Sequence, residues 1–190
     1  MEVDEAIISR RSIRRFKQKP LETRQLEKFV NAGRLAPSAA NLQPLEYFIV
    51  NEKDKCAKIF ETIGWAGYIK PKWTPAENER PVAFIVILSP DPTKDWNVRD
   101  ASLAAENIVL TAESEGVGSC ILLNIDKEKI REILKIPEKL FIDSLIALGY
   151  KDEKSVVEDY IDSVKYWRDE KQVLHVPKKK LVDIIHVNKY

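Results

Sequence analysis

The run VAFIVIL, residues 82–88, is apolar at every position, and this lack of alternation restricts the fold more than any other feature of the chain. A strand with one wet face alternates apolar and polar residues, whereas one without alternation has to be covered on both sides. The run is therefore predicted to be a central strand, and the chain must supply helices to cover it. Val3, Ala6 and Ile7 recur at helical spacing, as do Leu26, Phe29, Val30 and Leu35, with Thr23 as a start signal. Residues 54–63, 95–116 and 126–134 read as further helices, and 47–50, 119–123 and 144–150 as further strands. Helices alternating with strands over 190 residues argue a single domain of α/β type, a sandwich with a central sheet flanked by helices.

Three segments stand apart from that pattern. In 95–116, Leu103, Ala104, Ala105, Ile108, Val109, Leu110 and Ala112 spread apolar or small residues around most of the helix. Such a helix is expected to be buried on nearly all sides, most easily with a second copy of the chain covering one of them. Residues 65–80, WAGYIKPKWTPAENER, combine two prolines with Trp65, Tyr68 and Trp73 and read as a lid-like loop. Its aromatic residues either stack on a substrate or simply pack the loop down. Residues 151–190 form a charged, extended C-terminal tail, too polar for a second core and too patterned for disorder.

Most chemistries lack their residues here. His175 and His186 are the only histidines and have no ligand partners at metal-site spacing, so no metal is expected. There is no GxSxG elbow, and Cys120 sits inside an apolar strand. GVGS, residues 116–119, matches neither GxGxxG nor GxxxxGK[ST]. With 31 basic and 30 acidic residues the chain has no global field for nucleic acid or an anionic membrane. No apolar run approaches the roughly 20 residues of a membrane span. Two cysteines make a poor disulfide framework, and MEVDEAIISR is no signal region, so a cytoplasmic location is expected.

One local concentration of charge remains. SRRSIRRFK, residues 9–17, crowds Arg10, Arg11, Arg14 and Arg15 into six positions of a chain with net charge +1. Guanidiniums so close repel one another, and their forked donors suit phosphate or carboxylate oxygens. A bound anion would relieve the crowding; the alternative is that the arginines face water or satisfy carbonyls at a helix end.

SRRSIRRF, followed some twenty residues later by LAPSAANLQPLEYFIV, resembles the paired N-terminal signature of the nitroreductase family of flavin oxidoreductases. The likeness continues through RDASLAAENIVLTAESEGVGSC and the tail motif HVPKKKLVDII. It implies a nitroreductase-like fold with a central mixed sheet, an intertwined homodimer, and FMN bound between the subunits. Hydride from NADH or NADPH would pass through flavin N5 to a small acceptor such as a nitroaromatic or quinone, in ping-pong order. Relatives that use reduced flavin for dehalogenation or flavin breakdown, and a binding protein without turnover, are the alternatives.

Carried over by position, the resemblance assigns Arg10, Arg11, Ser12 and Arg14 to the first flavin-binding segment, with Arg14 at the N1/O2 edge as the catalytic residue. Pro37, Ser38, Ala39, Asn41 and Gln43 match the segment lent by the partner subunit. Leu123 and Asn124 fall where backbone N–H groups meet flavin N5 and O4, and Lys178 and Lys179 where basic residues reach the phosphate. Asn124 stands where the family often has glycine, and the tail lysines where arginines are frequent. Flavin chemistry needs no acid, base or nucleophile triad, which agrees with the absence of one.

Overall fold

Every residue of the strand Ala83–Ser89 is buried, as the unbroken apolar run requires. The computed structural model describes residues 1–189, which form two compact units. The first, residues 1–65 and 75–152, runs α1 (Val3–Ser9), β1 (Phe16–Lys17), α2 (Thr23–Arg34), β2 (Glu46–Val50), α3 (Lys53–Phe60), β3 (Ala83–Ser89), α4 (Asp95–Ser114), β4 (Val117–Leu122), α5 (Lys127–Leu134) and β5 (Phe141–Lys151). The 11-residue β5 organises the sheet. It pairs antiparallel with β3 along one edge and with β4 along the other, and β3 carries β2 beyond it. Between the named strands of this sheet all pairs are antiparallel; the parallel component expected of a mixed sheet is confined to the bridge between Ser12 and Ser119.

Alternation on β3 divides the core. Ala83, Ile85 and Ile87 join Ile146 and Leu148 of β5 against Leu26 and Phe29 of α2 and Ala101, Ala105 and Ile108 of α4. Phe84, Val86 and Leu88 point the other way and are buried as well. Burying side chains of this size stabilises by about 1.5–3 kcal/mol each, so the two-sided strand is the centre of the fold. Within one chain α4 buries Ala101, Ala104, Ala105, Ile108, Val109 and Ala112 and leaves Trp96, Val98 and Leu103 43, 46 and 46% exposed, as the expectation that a second copy covers one of its sides allows.

Two facing glycines shape the start of the chain. Gly118 and Gly149 are direct partners across β4 and β5. A Cβ on Gly118 would lie 3.0 Å from the side chain of Ile13, and one on Gly149 would lie 2.9 Å from Phe16. The bare backbone at this pair makes room for Ile13 and Phe16, both buried. Ile13 N–H donates to the Ser119 carbonyl at 2.8 Å, and β1 then pairs with the end of β5. The segment 10–17 is thus tied down by its two apolar residues and by strand pairing.

The second unit comprises residues 66–74 and, among the described residues, 153–189. Its strands β6 (Ser155–Asp159), β7 (Trp167–Arg168) and β8 (Leu174–Lys178) form a sheet in which β8 pairs parallel with β6 and antiparallel with β7. The polarity of the tail does not prevent this, because the charges it buries most deeply are paired. The Arg168–Glu153 ion pair, 2.9 Å, is almost wholly buried, and the Arg168 guanidinium lies 4.1 Å from the ring centre of Trp73. His175 stacks on Trp167 at 4.2 Å and lies 3.0 Å from Glu158.

Candidate functional site

The arginine segment begins where α1 ends. Arg10 caps α1, its N–H donating to the Ala6 carbonyl, and its side chain reaches Glu106 of α4 at 3.4 Å. Arg11 donates from Nη1 to the Arg10 carbonyl, while its Nε is buried and meets no acceptor among the described residues. Burial first and the neighbouring Arg10 charge second lower the Arg11 guanidinium below its ordinary value, with Glu113 opposing the shift. The repulsion expected from the sequence is therefore present between these two. Arg14 donates from Nη1 to the Ser12 carbonyl at 3.4 Å, and Arg15 pairs with Glu79 at 3.3 Å.

Ser12 stands beside Ser119 of β4, and Leu123 follows four residues along the same line, roughly 13 Å at strand rise. Beyond the end of β4, the carbonyl of Leu123 accepts from Ile125 N–H and that of Asn124 from Gly64 N–H at 2.9 Å. Neither the Leu123 nor the Asn124 N–H donates within the described residues. Asn124 is outside the left-handed region, so glycine is not demanded there. The missing side chain is at Gly64 instead, where a Cβ would sit 2.0 Å from Asn124 Nδ2.

The segment from Pro37 to Gln43 is a tight turn at the other end of α4. Ala40, Asn41 and Gln43 have φ of 48°, 55° and 50°, a conformation that costs a side-chain-bearing residue energy and persists only where surrounding contacts enforce it. Ser38 Oγ accepts from Gln43 N–H at 3.1 Å, and Gln43 Nε2 donates to the Asn41 carbonyl. Ala39 N–H lies 3.1 and 3.3 Å from the two carboxylate oxygens of Asp100, a residue only 3% exposed. Pro37, Ser38 and Gln43 border a cavity of about 150 Å³, too small for a drug-sized ligand.

Both segments therefore dock on α4, but apart. Glu106 lies six residues after Asp100, which is roughly 9 Å along the helix and 120° around it. Lys178 ends β8 and Lys179 follows it in the second unit. Trp65 is buried against Phe60, with ring centres 5.5 Å apart, and Tyr68 meets Tyr166. For Trp65 the packing reading is the correct one.

Sequence reasoning missed the acidic residues that organise the site. Besides Asp100 and Glu106, the carboxylate of Glu113 is 2% exposed and accepts from Ser9 Oγ at 2.8 Å and Lys151 Nζ at 2.5 Å. The signal was available: these are carboxylates within a helix otherwise rich in apolar and small residues, where a charge needs a specific partner. Among the described residues no group of His, Cys, Asp and Glu could hold a metal ion, and no helix is long and apolar enough to cross a membrane.

The sequence model of the Nitroreductase family matches residues 7–150. A protein of Archaeoglobus fulgidus, named as an NADH dehydrogenase/NAD(P)H nitroreductase, is 35% identical over 160 residues, which are 80% of this chain and 87% of that protein. An FMN-dependent nitroreductase from Clostridium difficile R20291 has a similar structure, with TM-score 0.69 and 27% identity over 98% of this chain and 99% of its own. A Parabacteroides distasonis structure, also named as an NADH dehydrogenase/NAD(P)H nitroreductase, gives TM-score 0.72 at 25% identity, covering 99% and 98%.

Proposed function

We propose that this chain, which belongs to the nitroreductase family, is an NAD(P)H-dependent oxidoreductase that binds FMN and acts as a homodimer. The observation that carries the reading is the anion-seeking arginine segment. Arg10 and Arg11 are crowded, Arg11 is lowered by burial and by its neighbour, and its buried Nε lacks an acceptor. A phosphate supplies acceptor oxygens and negative charge together. The free N–H groups of Leu123 and Asn124 add neutral donors suited to the polar edge of a flavin ring. The residues present fit the group.

Bound there, FMN would supply two-electron chemistry, hydride arriving from NADH or NADPH and electrons leaving to a small acceptor such as a nitroaromatic or quinone. Arg10, Arg11 and Ser12 hold the phosphate and ribityl chain, with Lys178 and Lys179 of the tail as further cations. Arg14 holds the N1/O2 edge, where a fixed guanidinium favours negative charge. Pro37, Ser38, Ala39, Asn41 and Gln43 come from the second subunit. The separation of the two segments around α4 supports a site shared between chains, and so do the exposed apolar residues Val3 and Ile7 of α1 and Leu103 of α4, which a second copy would cover. One cleft serves reductant and acceptor in turn, so double-reciprocal lines at fixed acceptor concentrations are expected to be parallel.

The direct test is the prosthetic group. Full-length protein purified without added flavin is expected to be yellow and to release close to one FMN per chain on denaturation, identified by chromatography. A colourless protein that takes up no FMN overturns the reading.

A further inference from the structure

A second cavity in the first unit shares no residue with the flavin-assigned segments above. It measures about 700 Å³, within the range of small-molecule sites. One wall is a single face of α3, formed by Lys53, Cys56, Ala57 and Phe60 at helical spacing. The opposite wall is the segment 77–82, held in place by Gln18, whose Nε2 donates to the Arg80 carbonyl at 2.9 Å. Arg80 lies with its guanidinium carbon 4.1 Å from the ring centre of Phe60, which fixes the plane of the charge. Its Nη1 reaches Glu61 at 3.4 Å, but its Nε is buried without an acceptor among the described residues. Lys53, in the first turn of α3, has no carboxylate within ion-pair distance among the described residues.

We infer that this cavity is a second binding site, for a small organic monoanion with a flat apolar body, such as an aromatic carboxylate. The charge follows from the donors: Lys53 has no carboxylate within ion-pair distance among the described residues, and Arg80, although its Nη1 is paired with Glu61, leaves its buried Nε without an acceptor. A phosphate dianion would be undercompensated. The body follows from Pro20, Ala57, Phe60, Pro81 and Val82, which offer flat or apolar surface, and the buried Arg80 Nε offers a donor to a carboxylate oxygen. Binding is non-covalent: burial first, then the charge of Glu52, push the Cys56 thiol up to about 11, and the neutral thiol is a poor nucleophile. The inference does not rest on the redox reading, because none of these residues is assigned to FMN.

The test titrates 2-naphthoate, and its uncharged counterpart 2-naphthamide, into the purified full chain with whatever flavin it carries. Affinity is followed by calorimetry and location by ¹⁵N-amide shifts. Naphthoate is expected to bind once per chain, to shift the amides of Ala57, Phe60 and Val82, and to leave any flavin absorption unchanged. Naphthamide should bind about tenfold more weakly, and Lys53→Gln and Arg80→Gln should each weaken naphthoate about tenfold while leaving naphthamide as it was. Lys53 is exposed, so its variant decides the matter even if Arg80→Gln loosens the fold. No saturable binding, equal affinity in the Lys53 variant, or shifts centred on residues 10–14 with a changed flavin spectrum would each overturn the proposal. A colourless protein that still binds naphthoate at these amides would sink the flavin reading and leave this one standing.

Discussion

Gly149→Ala tests the link between the sheet and the arginine segment. The new Cβ would stand 2.9 Å from Cβ and Cδ1 of Phe16, closer than real Cβ contacts come. Phe16 is fully buried and its Cβ moves only with its backbone. Overpacking of this kind costs about 1–3 kcal/mol, offset by about 0.4–1 kcal/mol from the stiffer unfolded chain. A net loss of about 1–2 kcal/mol should lower Tm by roughly 2–8 °C in a chain of this length. Because β1 follows the arginines directly, displacing Phe16 should also weaken FMN binding, measured by fluorescence titration of the apoprotein. Phe16→Ala removes the ring contacts at Cγ and Cδ1, though not the one at Cβ, so Gly149→Ala/Phe16→Ala should lose less than the sum of the two single changes. Strict additivity, or a Tm that rises with Gly149→Ala alone, would refute the steric argument.

Removing Glu113 should be felt in stability: Glu113→Ala strips Ser9 and Lys151 of their shared acceptor, and since Lys151 is partly exposed the loss should be about 3 kcal/mol, the lower end for a broken buried pair. Thermal denaturation measures it, and adding Lys151→Met should recover part. Asp100→Ala frees the Ala39 N–H and should loosen the strained turn, weakening FMN binding about tenfold with a stability loss of about 1 kcal/mol; unchanged flavin affinity would count against the turn's role. Cys56 sets an alkaline limit. Its folded value, raised from 9.0 to about 11, means the proton is held more tightly in the folded state, so this stabilisation is complete below pH 9 and is lost as pH climbs towards 11. It amounts to at most about 3 kcal/mol, and Cys56→Ala should flatten that part of the Tm–pH curve.

The sequence made the two-sided strand legible because VAFIVIL lacks alternation, and the structure shifts it by only one residue, to Ala83–Ser89 from 82–88. The basic cluster was equally plain, since four arginines in six positions need partners. What lay outside reach was non-local. Gly118 and Gly149 are far apart in sequence and gain meaning only when β4 and β5 pair and bring Ile13 and Phe16 over them. Gly64 and Asn124 are related in the same way. The sheet of the second unit was missed because SVVED and LHVPK carry charges and a proline where strand patterns have apolar residues, and because a buried Arg168–Glu153 pair cannot be read from two residues 15 positions apart. The apolar and small residues around α4 were legible as well, and the side holding Trp96, Val98 and Leu103, exposed in one chain, is left for the second copy that the sequence reading expected.

The central claim is that each FMN site takes its arginines from one chain and its residues 37–43 from another. One variant disabled as Arg10→Ala/Arg14→Ala and a second disabled as Asn41→Ala/Gln43→Ala should each bind FMN poorly as homodimers, since every site lacks one half. In a mixed dimer both defects fall in the same site, and the other site contains unaltered residues from both chains. Co-expressed, differently tagged chains purified as heterodimers should therefore recover half the wild-type FMN content and half its activity. Verified heterodimers that hold no more FMN than either parent would contradict the account.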